Sequence, residues 1–205
     1  MPFTTLKPNG IDLSQTFAFT GSVTGANSLI LTGSVTVSSA TGDIDIDNCI
    51  SSTYNIYKVF VRRWQPADND SSLRLKFKNT NNTAVNTASY RYALRRLRSD
   101  GEDRYASQTS EYWRMNSGTY NSDQQGGANF DITINTDRGT SGANSINLYW
   151  LSGTARNNNE ASAFYGGGHY NDTTGDEAPT GLRFYSSNGN TSNMYVSVFG
   201  VKGAL

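Results

Sequence analysis

Tyr54-Asn55-Ile56-Tyr57-Lys58-Val59-Phe60-Val61-Arg62-Arg63 is the stretch that decides the fold. Tyr57, Val59 and Val61 fall on one face of a strand, and Ile56 and Phe60 on the other. Side chains alternate across a strand, so apolar groups at both parities mean a strand covered on both sides. The same period of two recurs along the chain. Leu73, Leu75 and Phe77 alternate with Arg74, Lys76 and Lys78, and Asp43-Ile44-Asp45-Ile46-Asp47 alternates without a fault. Phe130, Ile132 and Ile134 form another such set, Ile146, Leu148 and Trp150 a third, and Met194, Val196 and Val198 oppose Tyr195, Ser197 and Phe199. Turn-forming residues separate these runs, as in Thr24-Gly25-Ala26-Asn27, Asp137-Arg138-Gly139 and Ser187-Asn188-Gly189-Asn190. Tyr90 to Arg98 fits a helical stripe as well as a strand, and its Tyr-Arg-Tyr start favours the strand.

Composition agrees. Asn, Ser and Thr make up about a third of the 205 residues, with 20 glycines besides, a mixture that suits many strands joined by tight turns. The expected fold is all-β, an antiparallel jelly-roll-like β-sandwich with an extended N-terminal arm. Residues 1–47 are poor in large side chains and rich in Gly, Ser and Thr, and are expected to form that arm or attachment segment. The aromatic-rich remainder, residues 48–205, is expected to form the sandwich.

Seventeen basic residues balance seventeen acidic ones, so net charge offers no case for nucleic acid or an anionic membrane. No stretch approaches the ~20 apolar residues of a membrane helix, and the N-terminus lacks the apolar core of a secretory signal. Cys49 is the sole cysteine, which excludes an internal disulfide and suits assembly in a reducing cytoplasm.

His169 is the only histidine and so the only candidate base for a catalytic triad. No Gly-x-Ser-x-Gly motif accompanies it, and a histidine beside glycines is more often a turn or contact residue. Carboxylates for glycoside hydrolysis are present (Glu102, Asp103, Glu111, Glu160 and Glu177), but nothing in the sequence fixes a distance between any two. No catalytic residue and no cofactor is assigned. One Cys and one His cannot build the usual zinc site, and no metal site is assigned. Asp43, Asp45 and Asp47 leave calcium open, against the simpler reading of a solvated strand face.

Two groups of side chains suit binding. Tyr112, Trp113, Tyr120, Tyr165, His169 and Tyr170 lie in polar, loop-like surroundings, where aromatic faces can stack on sugar rings. Capping the ends of the core is an equally good reading of them. Tyr90, Arg91, Tyr92, Arg95 and Arg96 combine arginines with aromatics, an interface composition, and are assigned to a subunit interface rather than to nucleic acid.

The opening Leu6-Lys7-Pro8-Asn9-Gly10-Ile11-Asp12-Leu13, followed by Phe17-Ala18-Phe19-Thr20-Gly21-Ser22-Val23, resembles the start of tail-fibre and appendage proteins of tailed bacteriophages. The body resembles jelly-roll modules of phage virions, common in marine and cyanobacterial phages. That likeness rests on Tyr54-x-x-Tyr57, Leu73-Arg74-Leu75-Lys76-Phe77, Tyr90-Arg91-Tyr92 and the ending Met194-Tyr195-Val196-Ser197-Val198-Phe199-Gly200-Val201-Lys202. It implies a non-catalytic structural protein of the virion, assembled in the host cytoplasm: a fibre, spike or decoration subunit. Such a protein attaches to other virion proteins by its N-terminal arm, forms a homotrimer and presents its sandwich outward to a host-surface glycan. A capsid cement protein bridging capsid subunits and a monomeric carbohydrate-binding module are the alternatives, with a small glycan-degrading enzyme behind them.

Overall fold

The computed structural model describes residues 29–98, 101–117, 127–136, 144–156, 160–172 and 178–202. They form twelve strands: β1 (Leu29–Val37), β2 (Asp43–Ile46), β3 (Ile56–Pro66), β4 (Leu73–Lys78), β5 (Tyr90–Arg98), β6 (Gly101–Ser110), β7 (Trp113–Arg114), β8 (Ala128–Asn135), β9 (Asn144–Arg156), β10 (Glu160–Asp172), β11 (Gly181–Ser186) and β12 (Thr191–Val201). The segment that could have been helical, 90–98, is a strand.

Two sheets stack. One has eight strands in the order β1-β12-β3-β8-β9-β10-β5-β6, the other four in the order β2-β11-β4-β7. Every pairing is antiparallel. Without the hairpins β5–β6 and β9–β10, eight strands remain, and in chain order they pair first with last, second with seventh, third with sixth and fourth with fifth. That is a long antiparallel ladder rolled up on itself, the jelly roll. The two extra hairpins both join the same sheet, where β10 pairs with β5, and they widen it to eight strands against the four of its partner.

The core follows the alternation. Tyr57, Val59 and Val61 of β3 in the large sheet and Leu73, Leu75 and Phe77 of β4 in the small one belong to one core, and all six are fully buried. The opposite face of β3 is only half-covered: Phe60 packs edge-on against Phe199 at 5.8 Å, with the Arg62 guanidinium over its ring. Apolar residues at both parities thus reflect an inner core plus an aromatic pair on the outer surface.

No boundary falls at residue 47, where an arm was expected to end. β1 pairs with β12 in the large sheet and β2 with β11 in the small one, and Val37, Ile44 and Ile46 belong to the core. The shortage of large side chains in this segment serves close packing instead of marking an arm. A Cβ on Gly33 would stand 2.7 Å from both Cys49 Cβ and Ile46 Cγ2, so only glycine lets β1 close over these side chains. Residues 29–47 are therefore part of the sandwich, and the remainder of the proposed arm, 1–28, lies outside the described residues.

Candidate functional site

The eleven residues singled out in the sequence fall into separate places. Trp113, Tyr170 and Tyr90 are not surface groups. Each is buried, and with Phe77 they form one aromatic cluster inside the sandwich: Trp113 stands edge-on to Phe77 at 4.8 Å and to Tyr90 at 4.9 Å, and Tyr170 lies 4.9 Å from Tyr90. The polar ends of Trp113 and Tyr90 are met by backbone. Trp113 Nε1 donates to the Arg91 carbonyl at 3.1 Å, and Tyr90 Oη accepts from Phe77 N and donates to the Val85 carbonyl. Large rings with satisfied polar tips favour burial over exposure, so the core-capping reading is the right one for Trp113 and Tyr170, and burial removes Tyr90 from the subunit interface expected of it.

Arg96 likewise turns inward. It is buried, its guanidinium forks onto Asp103 (Nε to Oδ2, 2.7 Å), and Nη1 reaches Ser117 Oγ. This ion pair fastens β5 to β6 and offers nothing to a partner chain. Tyr92 is half-buried on the same inner side, packed against the core.

Tyr112 belongs to the outer surface of the small sheet. There the Arg74 guanidinium lies over its ring at 4.1 Å, with Tyr185 on the flank at 5.8 Å. The Asp43, Asp45 and Asp47 row occupies the same surface. Arg183 takes Asp43 at 2.7 Å and grips Asp45 through two hydrogen bonds of 2.6 and 2.7 Å, and Lys78 pairs with Asp45 at 2.8 Å and with Asp47. Burial acts to raise the Asp45 pKa, but hydrogen bonds from Arg183 and Lys78 outweigh it and hold the carboxyl below its usual value. These carboxylates already have cationic partners, and their surroundings are those of a charge ladder across β2, β11 and β4. Tyr120 lies outside the described residues.

Four of the eleven do come together, on the outer face of the large sheet. Strand register sets Tyr149 of β9 beside Gly167 of β10, Gly167 beside Ala93 of β5, and Ala93 beside Ala106 of β6. With no long side chain on its last three members, this row is the floor of a trough. Two residues to one side stand Tyr165, Arg95 and Arg104, and two residues to the other stand Asn147, His169 and Arg91. At strand spacings of about 4.8 Å the row runs roughly 14 Å across the sheet. Two adjoining hollows, of about 410 and 350 Å³, share that floor.

The walls are organised. Arg95 Nη1 donates to Tyr165 Oη at 3.2 Å, and Glu102 lies between Arg95 (3.5 Å) and Arg104 (2.9 Å). His169 Nδ1 meets Asn147 Oδ1 at 3.0 Å. Burial, assisted by the Arg91 charge, lowers the His169 pKa, so the ring is neutral at pH 7. In a Ser-His-Asp triad the carboxylate at that nitrogen orients the ring and stabilises its cation. Here the position holds an amide, and an arginine opposes the charge.

Tyr149, Leu151 and Arg104 escaped the sequence reading. Tyr149 and Leu151 are 60% and 61% exposed, although they alternate with the buried Ile146, Leu148 and Trp150. Large apolar groups at both parities of this strand were the available signal, the same one read in Tyr54–Arg63.

In class, the molecule is an all-β antiparallel sandwich of jelly-roll order, its larger sheet widened by two hairpins. No protein-family model and no curated protein matches the sequence.

Proposed function

We propose that this chain is a non-catalytic structural subunit of a virion, a fibre, spike or decoration protein, which presents the broad outer face of its large sheet to a host surface. The observation that carries this reading is the open face itself. Tyr149, Leu151, Tyr165 and Tyr195 all lie outward and exposed on one eight-stranded sheet. Exposed aromatic and apolar groups gathered on a single face mark a contact surface. The amide beside His169 supports a binding role over a hydrolytic one. The likeness to phage appendages in the opening and closing segments supports the virion setting.

Association into a homotrimer is part of the proposal. Sheet edges exposed to solvent are ordinarily blunted by charge, proline or shortness. β6 carries Glu102, Asp103 and Arg104, β2 has four residues and two aspartates, and β7 has two residues. β1, Leu-Ile-Leu-Thr-Gly-Ser-Val-Thr-Val, has nine residues with neither charge nor proline, and Leu29 and Leu31 are half-exposed along it. Such an edge suits cover by a neighbouring subunit.

Particles purified and labelled with antibody against this chain test the assignment by electron microscopy. Discrete decoration at one class of site on the particle is expected, and unlabelled particles that contain no such chain by mass spectrometry would refute it. His169→Ala should leave particle attachment intact. Light scattering on the full-length protein should return a trimer mass, and a monomer at micromolar concentration would remove that part of the proposal.

A further inference from the structure

We propose that the trough over Gly167, Ala93 and Ala106 binds a carboxylate-bearing polysaccharide, with Arg91, Arg95 and Arg104 holding the carboxylates and Tyr165 and Tyr149 stacking on the sugar rings. This deepens the reading of the large sheet as a contact face and rests on it.

Charge is the first ground. The protein is neutral overall, yet three arginines and no acidic side chain line the two hollows among the described residues. Arginine presents paired donors in a planar fork that matches a carboxylate. Glu102 shows that these arginines can hold a carboxylate: at the rim it accepts from Arg104 Nη2 at 2.9 Å, with Arg95 Nη1 3.5 Å away. A ligand carboxylate would take the place Glu102 now holds.

Shape is the second. Glycine and two alanines set the floor at the level of the sheet backbone, so a flat ring can lie down against it. Tyr165, 39% exposed, rises on one side with its hydroxyl tied to Arg95, and Tyr149 closes one end with the Lys58 ammonium 5.7 Å from its ring centre. Asn147, His169 and Gln108 add neutral polar groups that suit sugar hydroxyls. A shallow hollow with apolar floor and few convergent polar groups is the usual form of a small-ligand site.

A second copy of this chain fits less well. Two-fold docking of this face on itself would set Arg91, Arg95 and Arg104 against the same arginines, and like charges across an interface are costly.

Polygalacturonate oligomers and neutral dextran, titrated calorimetrically into the full-length protein at pH 7, provide the test. Polygalacturonate is expected to bind and dextran not to. Arg95→Ala and Arg104→Ala should each weaken binding at least tenfold. Glu102→Gln, which removes the internal competitor, should tighten it several-fold. Opposite signs at neighbouring exposed positions are not the signature of misfolding, and unchanged thermal melting of each variant checks this. Three results would overturn the proposal: no binding by the unaltered protein, equal binding by the arginine variants, or no gain from Glu102→Gln. Dimerisation in light scattering that Arg95→Ala abolishes would overturn it too, by making the trough a self-interface. A protein that binds polygalacturonate but is missing from particles would leave the site standing and remove the virion reading alone.

Discussion

Gly166, Gly167 and Gly168 sit side by side in the middle of β10, and alanine at the last two should move stability in opposite directions. None of the three has a positive φ, so the backbone itself tolerates alanine. Removing a glycine from a strand restricts the unfolded chain and ordinarily stabilises by about 0.4–1 kcal/mol. Gly167 faces outward, and a Cβ there meets nothing closer than the Leu148 carbonyl at 3.4 Å. Gly167→Ala should therefore keep most of that gain. Gly168 faces inward beneath Trp113. Its Cβ would stand 2.6 Å from both Trp113 Cδ1 and Nε1 and 2.8 Å from the Arg91 carbonyl. The indole cannot withdraw, because Nε1 is bonded to that same carbonyl and the ring is wedged against Phe77 and Tyr90. Overpacking of this kind costs about 1–3 kcal/mol, which exceeds the glycine term and reverses the sign. Urea unfolding followed by circular dichroism would give midpoints above the parent for Gly167→Ala and below it for Gly168→Ala. In a Trp113→Phe background the cost at Gly168 should shrink by about 0.5 kcal/mol or more, as expected for residues in contact. Gly168→Ala as stable as Gly167→Ala would refute the buried placement of Trp113.

Two further outcomes concern ionisable groups. Because the folded Asp45 carboxyl titrates below its ordinary value of 3.8, its stabilising contribution is present above that pH and lost as pH falls through the lower folded value. Asp45→Asn should cost about 1–2 kcal/mol at pH 7, allowing for partial exposure, and should flatten the fall in stability between pH 5 and pH 3. An unchanged acid profile in equilibrium unfolding would count against the charge ladder. Burial pushes the Cys49 thiol up to about 12, and its Sγ donates to the Ile46 carbonyl at 3.3 Å. A thiol reagent such as DTNB at pH 8 should therefore label it only after unfolding, and rapid labelling of the native protein would contradict its burial.

The strands were legible because the core is built by period-two alternation and little else. Every run read from that pattern, from Ile44 to Val198, proved to be a strand wherever it lies among the described residues. What alternation does not carry is which face is inner. Trp113 and Tyr170 sit among Ser, Asn and Gly, as surface aromatics would, and their burial depends on Phe77 and Tyr90 arriving from elsewhere in the chain. Arg96 shows the same limit, since its ion pair with Asp103 exists only through the β5–β6 register. The trough was half-visible. Tyr165, His169, Arg91 and Arg95 were each singled out, but in two separate groups, because the β10–β5 pairing that joins them links residues about seventy apart. The arm boundary failed for a different reason: small side chains mark close packing of chain segments as readily as they mark an unpacked tail.

The rolled ladder also dictates the order in which a ribosome could hand this molecule to its final state. Thr32 of β1 hydrogen-bonds the carbonyl of Val198 in β12, 166 residues away, and β12 then lies between β1 and β3. Until β11 emerges, β2 has no partner in the small sheet, and until β12 follows, β3 is paired on one side only, with β8, and β1 has no place in the large sheet. The hairpins β5–β6 and β9–β10 need only local contacts and can form as they appear, but the seam closes last. Long-range closure is slow, and the apolar β1 edge stays exposed throughout synthesis. Nascent chains are thus most exposed to mispairing with one another before the final strand is complete, so the yield of soluble protein should fall with crowding of translating ribosomes sooner than with loss of native stability.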